Sequence, residues 1–457
     1  MINTSTTAKR WCVVGGGLLG LTLAHRLAQS GQSVTLLEAA PDLGGLASAW
    51  QVGDVTWDRY YHVIMLSDAH LRRLLDEFGL DHGIDWKVTR TGFFTGHGLH
   101  NLNNAVDYLK FPALNLVDKV RLGLTIMYMA RIKDGRPLES IPLSDWLTRL
   151  SGKRVFENIW RPLICAKLGD NYRKASASFI WSYARRFYAA RQGGMKTEMF
   201  GYVPGGYARI LNAFASKLAG EGVDVRTSAP VELIRKDASG AFKVTTRDRS
   251  FEFDRVVVTA AAPLAAKICD GLTEDERKRL EGVVYNGVIC ASALLRRPLG
   301  GYYLTYITDP TMPFTTVIEM SALVDAAQHC NGQSLVYLPR YVTAEDEYWS
   351  LSDAEIERRF FDGLVKIYPD LKPEDVTAFR VARARQVYAV TTIGYSDRLP
   401  PMLTSVPGLS IVNSAHIVNA SLAVNETVAL AEAALPKLLD EPRSDDCAAT
   451  PPLLAVA

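Results

Sequence analysis

Behind two basic residues, Lys9 and Arg10, the chain runs apolar from Trp11 to Ala24. That profile suits the charged and apolar regions of a secretory signal peptide. It suits equally well a strand, a turn and the start of a helix. His25 and Arg26 interrupt the apolar run and no small-residue cleavage pattern follows closely, which favours the second reading. The pattern predicts a strand over Trp11–Val14, a helix through Leu27 to a stop at Ser30-Gly31, and a strand over Ser33–Leu37. Residues 66–200 read as mainly helical, with apolar positions three and four apart in "LRRLLDEFGL" and "LSDWLTRLSGKRVFENIWRPLICAKLGD". From Tyr202 a Gly-Gly turn leads into an amphipathic helix, two short strands, and the strands "AFKVTTRD" and "FEFDRVVVT". Residues 280–390 are strand-rich. A strand over Leu409–Asn413 then leads to a helix beginning near Val424-Asn425, and the tail 441–457 reads as disordered.

Gly15, Gly17 and Gly20 stand in G-x-G-x-x-G register directly after the first strand. Each has its own physical role: a tight turn at Gly15, close backbone approach to a pyrophosphate at Gly17, and helix-on-strand contact at Gly20. The free N–H groups of the helix that starts at Leu18-Leu19 supply partial positive charge for phosphates. Glu38, at the end of the second strand, is placed to accept hydroxyls of a ribose. The spacing of these elements points to an adenine dinucleotide.

Composition narrows the classes. The 457 residues suffice for two or three cores, and 51 Lys and Arg against 49 Asp and Glu argue against a nucleic-acid partner. Six scattered cysteines (12, 165, 269, 290, 330 and 447) form no C-x-x-C pair, which suits a reducing, cytoplasmic compartment. The eight histidines show no metal-ligand spacing. No apolar run reaches the ~20 residues needed to cross a bilayer.

The glycine turn, Glu38 and the later Gly44-Gly45 pair together resemble the superfamily of amine oxidases, protoporphyrinogen oxidases and phytoene desaturases. "DRYYH" at Asp58–His62, "NIWRPLICAKLGD" and "GYVPGGY" place the chain near its NAD(P)/FAD-dependent, protoporphyrinogen-oxidase-like members. UDP-galactopyranose mutases are a related branch. The resemblance implies an α/β fold: a Rossmann-like, GR2-type FAD domain (residues 1–60, 200–270 and 395–440) interleaved with an α+β substrate domain (61–199 and 271–394). It also implies FAD contacts at Gly15, Gly17, Leu18, Leu19, Gly20, Glu38, Gly44, Gly45 and Leu46, at the backbone of Val231, and at His416 and Asn425. Two departures stand out: Leu46 replaces an expected arginine, and Ser414-Ala415-His416 replaces an expected Gly-Asp.

The implied activity is an FAD-dependent oxidoreductase that takes a hydride from a small or isoprenoid-like, lipid-like substrate. Alternatives are a flavin-dependent mutase or a non-catalytic flavoprotein. Without a second G-x-G-x-x-G, electrons are expected to pass on to oxygen, a quinone or another acceptor. His62 and Tyr61 are the candidate catalytic residues, beside Asp58, since imidazole titrates near neutrality. Tyr61, Arg161, Lys167, Tyr202 and Gly205 are candidate substrate contacts, with Trp160 and Gly206 beside them. The aromatic and basic run Phe179, Trp181, Tyr183, Arg185, Arg186, Phe187, Tyr188 and Arg191 reads either as a grip on an anionic lipid or as a solvated face over a core. The amphipathic segment from Leu109 to Gly135 is expected to be a core helix, with peripheral membrane contact as the alternative.

Overall fold

The computed structural model describes residues 8–96, 98–101, 105–112, 114–189, 199–418 and 420–440. Arg191, Cys447, the side chains of Phe187 and Tyr188, and the tail 441–457 lie outside what is described. Strands Arg10–Val14 and Ser33–Leu37 pair in parallel, joined by helix Leu18–Gln29. Three strands from far along the chain complete a five-stranded parallel sheet. Its order is Asp224–Arg226, Ser33–Leu37, Arg10–Val14, Arg255–Val258, Leu409–Ile411. Each central strand reads as a short apolar run because helices or a strand meander cover both faces. Helix Leu18–Gln29 and the final helix Val424–Leu439 share one core through Leu23, Leu27, Leu430 and Ala434. The opposite face packs on the antiparallel meander Val231–Lys236, Phe242–Thr246 and Ser250–Phe253.

A second sheet of seven strands is built around Tyr285–Leu295, every residue of which is buried. It pairs antiparallel with Ser334–Val342 on one side and Val376–Ala389 on the other. Helix Asp353–Ile367 packs on one face through Phe360 and Leu364. The helices between Ala105 and Ala189 form a layer whose core includes Trp146, Trp181 and Tyr388. Among the described residues, no helix is long and apolar enough to cross a membrane.

One expectation is refined and one corrected. The described residues of 66–200 are mainly helical, with short strands between the helices and at the end: Asp85–Val88, Thr91–Phe94, Leu99–Asn101 and Met199–Tyr202. Thr91–Phe94 pairs in parallel with Leu304–Ile307, a partner some two hundred residues away that local periodicity cannot reveal. The last sheet strand ends at Ile411 rather than Asn413. The Asn413 side chain instead accepts the Ala415 N–H and starts the short turn Ser414–His416.

Candidate functional site

The glycines at the end of the first strand serve different ends. Gly15 has φ +112°, and a Cβ there would sit 2.4 Å from Thr259 Oγ1. A Cβ on Gly20 would lie 1.9 Å from the Gly15 carbonyl oxygen, so this contact admits only glycine. A Cβ on Gly17 would meet no protein atom within 4 Å. Chain packing therefore does not require glycine at 17, and the space beside its backbone is open. Gly17 is also the N-cap of helix Leu18–Gln29, which has neither a side-chain cap nor an acidic residue in its first turn. Its N-terminal N–H groups and positive dipole end remain for an anion.

Glu38 holds this turn from the side. One carboxylate oxygen accepts the Gly16 N–H at 2.5 Å and the other accepts that of Ala40 at 2.7 Å. Each oxygen keeps a second acceptor position for a hydroxyl. The second glycine pair packs directly on the first turn: Gly44 N–H donates to Gly16 O at 2.8 Å, and Gly45 abuts Gly17. Leu18 and Leu19 are buried in the core, so only their main-chain groups can face a ligand. Leu46 is half-buried. Just beyond, Ser48 Oγ, Trp50 Nε1 and Arg59 Nε are buried and have no hydrogen-bond partner among the described residues. Arg59 N–H donates to Ser48 O at 2.8 Å, and its guanidinium lies 5.6 Å from the centre of the Trp50 ring, so the three donors are neighbours. Unpaired buried donors are costly unless a ligand satisfies them. An uncapped helix, an open glycine turn and this donor set fit a dinucleotide. Sequence reasoning did not pick out these three donors, whose grouping depends on a fold-back that spacing does not announce.

Next to this cradle, Asp58 pins the segment Val203–Tyr207. Its Oδ1 accepts the Tyr207 N–H at 2.8 Å, and a Cβ on Gly206 would crowd the same oxygen at 2.8 Å. Gly205 and Gly206 both have positive φ (+90° and +65°), the turn that glycine permits. Burial pushes the Asp58 carboxyl up to about 7, a rise partly offset by that N–H. His62 Nδ1 donates to Tyr60 O at 2.8 Å and lies 3.9 Å from Asp58 Oδ2. Burial lowers the imidazole to about 4, so His62 is neutral at physiological pH, with its lone pair on Nε2. A cavity of about 10 Å³ beside it, lined by Asp58, Val63 and Tyr207, has room for one water.

One residue before His62, Tyr61 enters a second cluster. Its hydroxyl lies 2.9 Å from Tyr341 OH, and Lys167 Nζ donates to both, at 3.2 and 2.5 Å. Burial pulls the Lys167 ammonium down to about 7. The Lys167 carbonyl is fixed by Asn286 Nδ2 and Tyr388 OH, which holds the helix end in place. The structure thus brings two of the candidate substrate residues, Tyr61 and Lys167, together. Tyr341 was missed because its strand reads as ordinary core.

Other expected contacts are not brought here. Arg161 points to solvent and pairs with Glu157 at 2.9 Å; six residues from Lys167 on a helix, it faces about 120° away. Trp160 is buried and donates to Ser151 Oγ. Tyr202 is packed between Trp57 and His329, its hydroxyl accepting the Asp325 N–H. His416 is a structural residue: Nδ1 accepts the Asn413 N–H at 3.1 Å and Nε2 donates to Pro400 O at 3.0 Å. Asn425 Oδ1 accepts the N–H groups of His70 and Leu71, capping helix Ala69–Glu77. Arg186 is consumed by Asp68 and Glu426, at 3.2 and 2.8 Å, which removes it from any lipid grip. Val231 opens the meander strand, with Ala229 N–H on Glu38 O tying that segment to the cradle.

Fold and cradle together define a dinucleotide-binding flavoprotein. Residues 20–423 match the flavin containing amine oxidoreductase family, and the chain belongs to it. Its cofactor is FAD. The chain is 27% identical to the carotenoid phi-ring synthase of Streptomyces griseus over 269 residues, 54% of this chain and 51% of that one. It is 24% identical to the 15-cis-phytoene desaturase of Solanum lycopersicum over 384 residues, 78% of this chain and 64% of that one. It therefore spans between half and just under two thirds of the length of these curated relatives. The crystal structure of an oxidoreductase from Methanosarcina mazei superposes with a TM-score of 0.72, covering 93% of this chain and all of the other at 18% identity, a likeness of fold.

Proposed function

We propose that this protein is an FAD-dependent oxidoreductase that takes a hydride from an organic, isoprenoid-like substrate placed against Tyr61, Lys167 and Tyr341. The carrying observation is the buried Lys167 amine. It is held by two phenols rather than a carboxylate, and one of them, Tyr61, is the chain neighbour of His62. FAD, when bound, supplies the two-electron acceptor. The chain's own groups hold that cofactor: the N–H groups around Gly17, the Glu38 carboxylate, and Ser48, Trp50 and Arg59. Near pH 7 Lys167 exists in both protonation states, so its Nζ can give or take a proton through Tyr61 or Tyr341. Tyrosine rings around it offer an apolar wall that would exclude water. Two relatives named for a carotenoid and for phytoene add support for an apolar substrate. Oxygen or a quinone would then remove the electrons.

The test is anaerobic mixing of the yellow protein with a panel of isoprenoids, amines and porphyrinogens, following the flavin absorbance. Bleaching by an isoprenoid supports the reading. Bleaching only by a polar amine, or by nothing in the panel, contradicts it. Activity that appears only after chemical reduction, with no acceptor consumed, would assign a mutase instead.

A further inference from the structure

Helix Leu116–Arg131 is amphipathic with its apolar side outward. Leu116, Val117, Val120, Leu124, Met127 and Tyr128 are 45–68% exposed. Their spacing puts them along one stripe. The side turned inward carries Asp118, Lys119 and Thr125 beside Leu122 and Met129. Those inward polar groups are engaged. Asn115 caps the helix by accepting the Asp118 N–H at 2.8 Å, Arg154 lies 3.6 Å from Asp118, and Ser151 Oγ donates to Thr125 Oγ1. The orientation is thus built by specific contacts, and the expected core helix is corrected: it presents its apolar face to the outside. Of the twelve large apolar side chains exposed among the described residues, seven lie on this helix, so the stripe is not ordinary surface scatter.

Charge indicates what covers it. Residues 105–161 carry ten Lys and Arg against six Asp and Glu, in a chain that is otherwise nearly balanced. Exposed Arg121 and Arg131 stand on this helix, Lys133 just follows it, and Lys153 and Arg154, the latter beside Asp118, stand on the short helix packed against it. A second copy docked through the same stripe by two-fold symmetry would bring these cations against each other. An anionic bilayer would instead pair with them while taking up the apolar side chains, as interfacial helices do. At about 24 Å the helix is long enough to lie in the headgroup layer.

We propose that helix Leu116–Arg131 docks this protein on membranes containing anionic lipid, with the leucine and valine stripe inserted and the basic rim at the headgroups. This surface is separate from the redox site, and its test does not depend on the substrate.

The experiment is sedimentation of the flavin-loaded full chain with phosphatidylcholine vesicles, with and without phosphatidylglycerol. Binding is expected only with phosphatidylglycerol and should weaken with added salt. Val120→Asp with Leu124→Glu should lower the bound fraction about tenfold or more, while the melting temperature and flavin content stay those of the parent. Arg121→Gln with Arg131→Gln should remove the preference for anionic vesicles. Absence of vesicle binding, or binding unchanged in both variants, would overturn the proposal. So would a concentration-dependent dimer in light scattering that the Val120→Asp, Leu124→Glu protein abolishes, since it would assign the stripe to a second copy.

Discussion

Lys167 Nζ lies 2.5 Å from the hydroxyl oxygen of Tyr341 and 3.9 Å from the centre of its ring. The cation thus sits over the edge of a phenol with a second phenol, Tyr61, at 3.2 Å. Helical insert, seven-stranded sheet and the loop after the glycine cradle each contribute one member. Burial without a carboxylate partner brings the amine into the range where it changes charge near neutral pH.

Lys167→Met keeps the bulk of the stem and removes the titrating group. Substrate-driven flavin reduction should slow about 100-fold, with little change in substrate half-saturation. The pH dependence near 7 in the parent enzyme should flatten. Tyr341→Phe should move that pH midpoint, because the hydrogen bond it removes acts on the same amine. Stopped-flow reduction across pH checks both; unchanged profiles in the two variants would remove Lys167 from the chemistry.

Asp58 has the opposite linkage. Its folded-state carboxyl is raised from 3.8 to about 7 by burial, so between those values the folded chain keeps a proton that the unfolded chain has lost. Stability contributed by this group is present at low pH and is lost as pH rises through that window. Asp58→Asn keeps an acceptor for the Tyr207 N–H and has no charge to bury. Relative to the parent it should gain stability between pH 4 and pH 8, by up to roughly 4 kcal/mol at about 1.4 per pH unit. Thermal melts across pH give the difference directly, and parallel curves for the two proteins contradict the assignment.

The glycine turn separates a packing defect from a binding defect. Gly20→Ala drives a methyl into the Gly15 carbonyl and should lower the melting temperature with or without flavin. Gly17→Ala meets no protein atom and should melt as the parent does once flavin is removed. Reversed behaviour of the two variants would mean that the open space at Gly17 has no ligand to serve.

Much of this site was legible in the chain because its chemistry is local. Gly15, Gly17, Gly20 and Glu38 stand within or at the end of one strand-turn-helix-strand unit, where spacing exposes them, and the Gly44-Gly45 pair is what the family resemblance adds. What failed was long-range. His416 and Asn425 stand in the right segment by resemblance, yet their side chains bond Pro400, His70 and Leu71, partners that no pattern near them indicates. Tyr341 was invisible for the converse reason, since its strand is a nearly continuous buried run like other core strands while its hydroxyl is aimed at a lysine from another element. Helix Leu116–Arg131 misled through its periodicity, which shows that two faces differ and not which one is buried.

His416 can now be tested as a structural residue. Its imidazole is lowered from 6.5 to about 4 by burial, so the unfolded chain takes up a proton first as pH falls. The stability it contributes is present above pH 6.5 and lost through the window down to about 4. His416→Ala would leave the Asn413 N–H and the Pro400 carbonyl unpaired, costing about 1–3 kcal/mol. The acid limb of the stability curve should become shallower, while flavin per folded protein stays at the parental value. A loss of flavin without a loss of stability would restore His416 as a cofactor contact.

The most direct measurement is the flavin content of Gly17→Leu, purified beside the parent and denatured to release what is bound. A cofactor seated against this backbone predicts folded protein with the parental apo melting temperature and almost no FAD. Full parental FAD in that variant would contradict the placement on which the account depends.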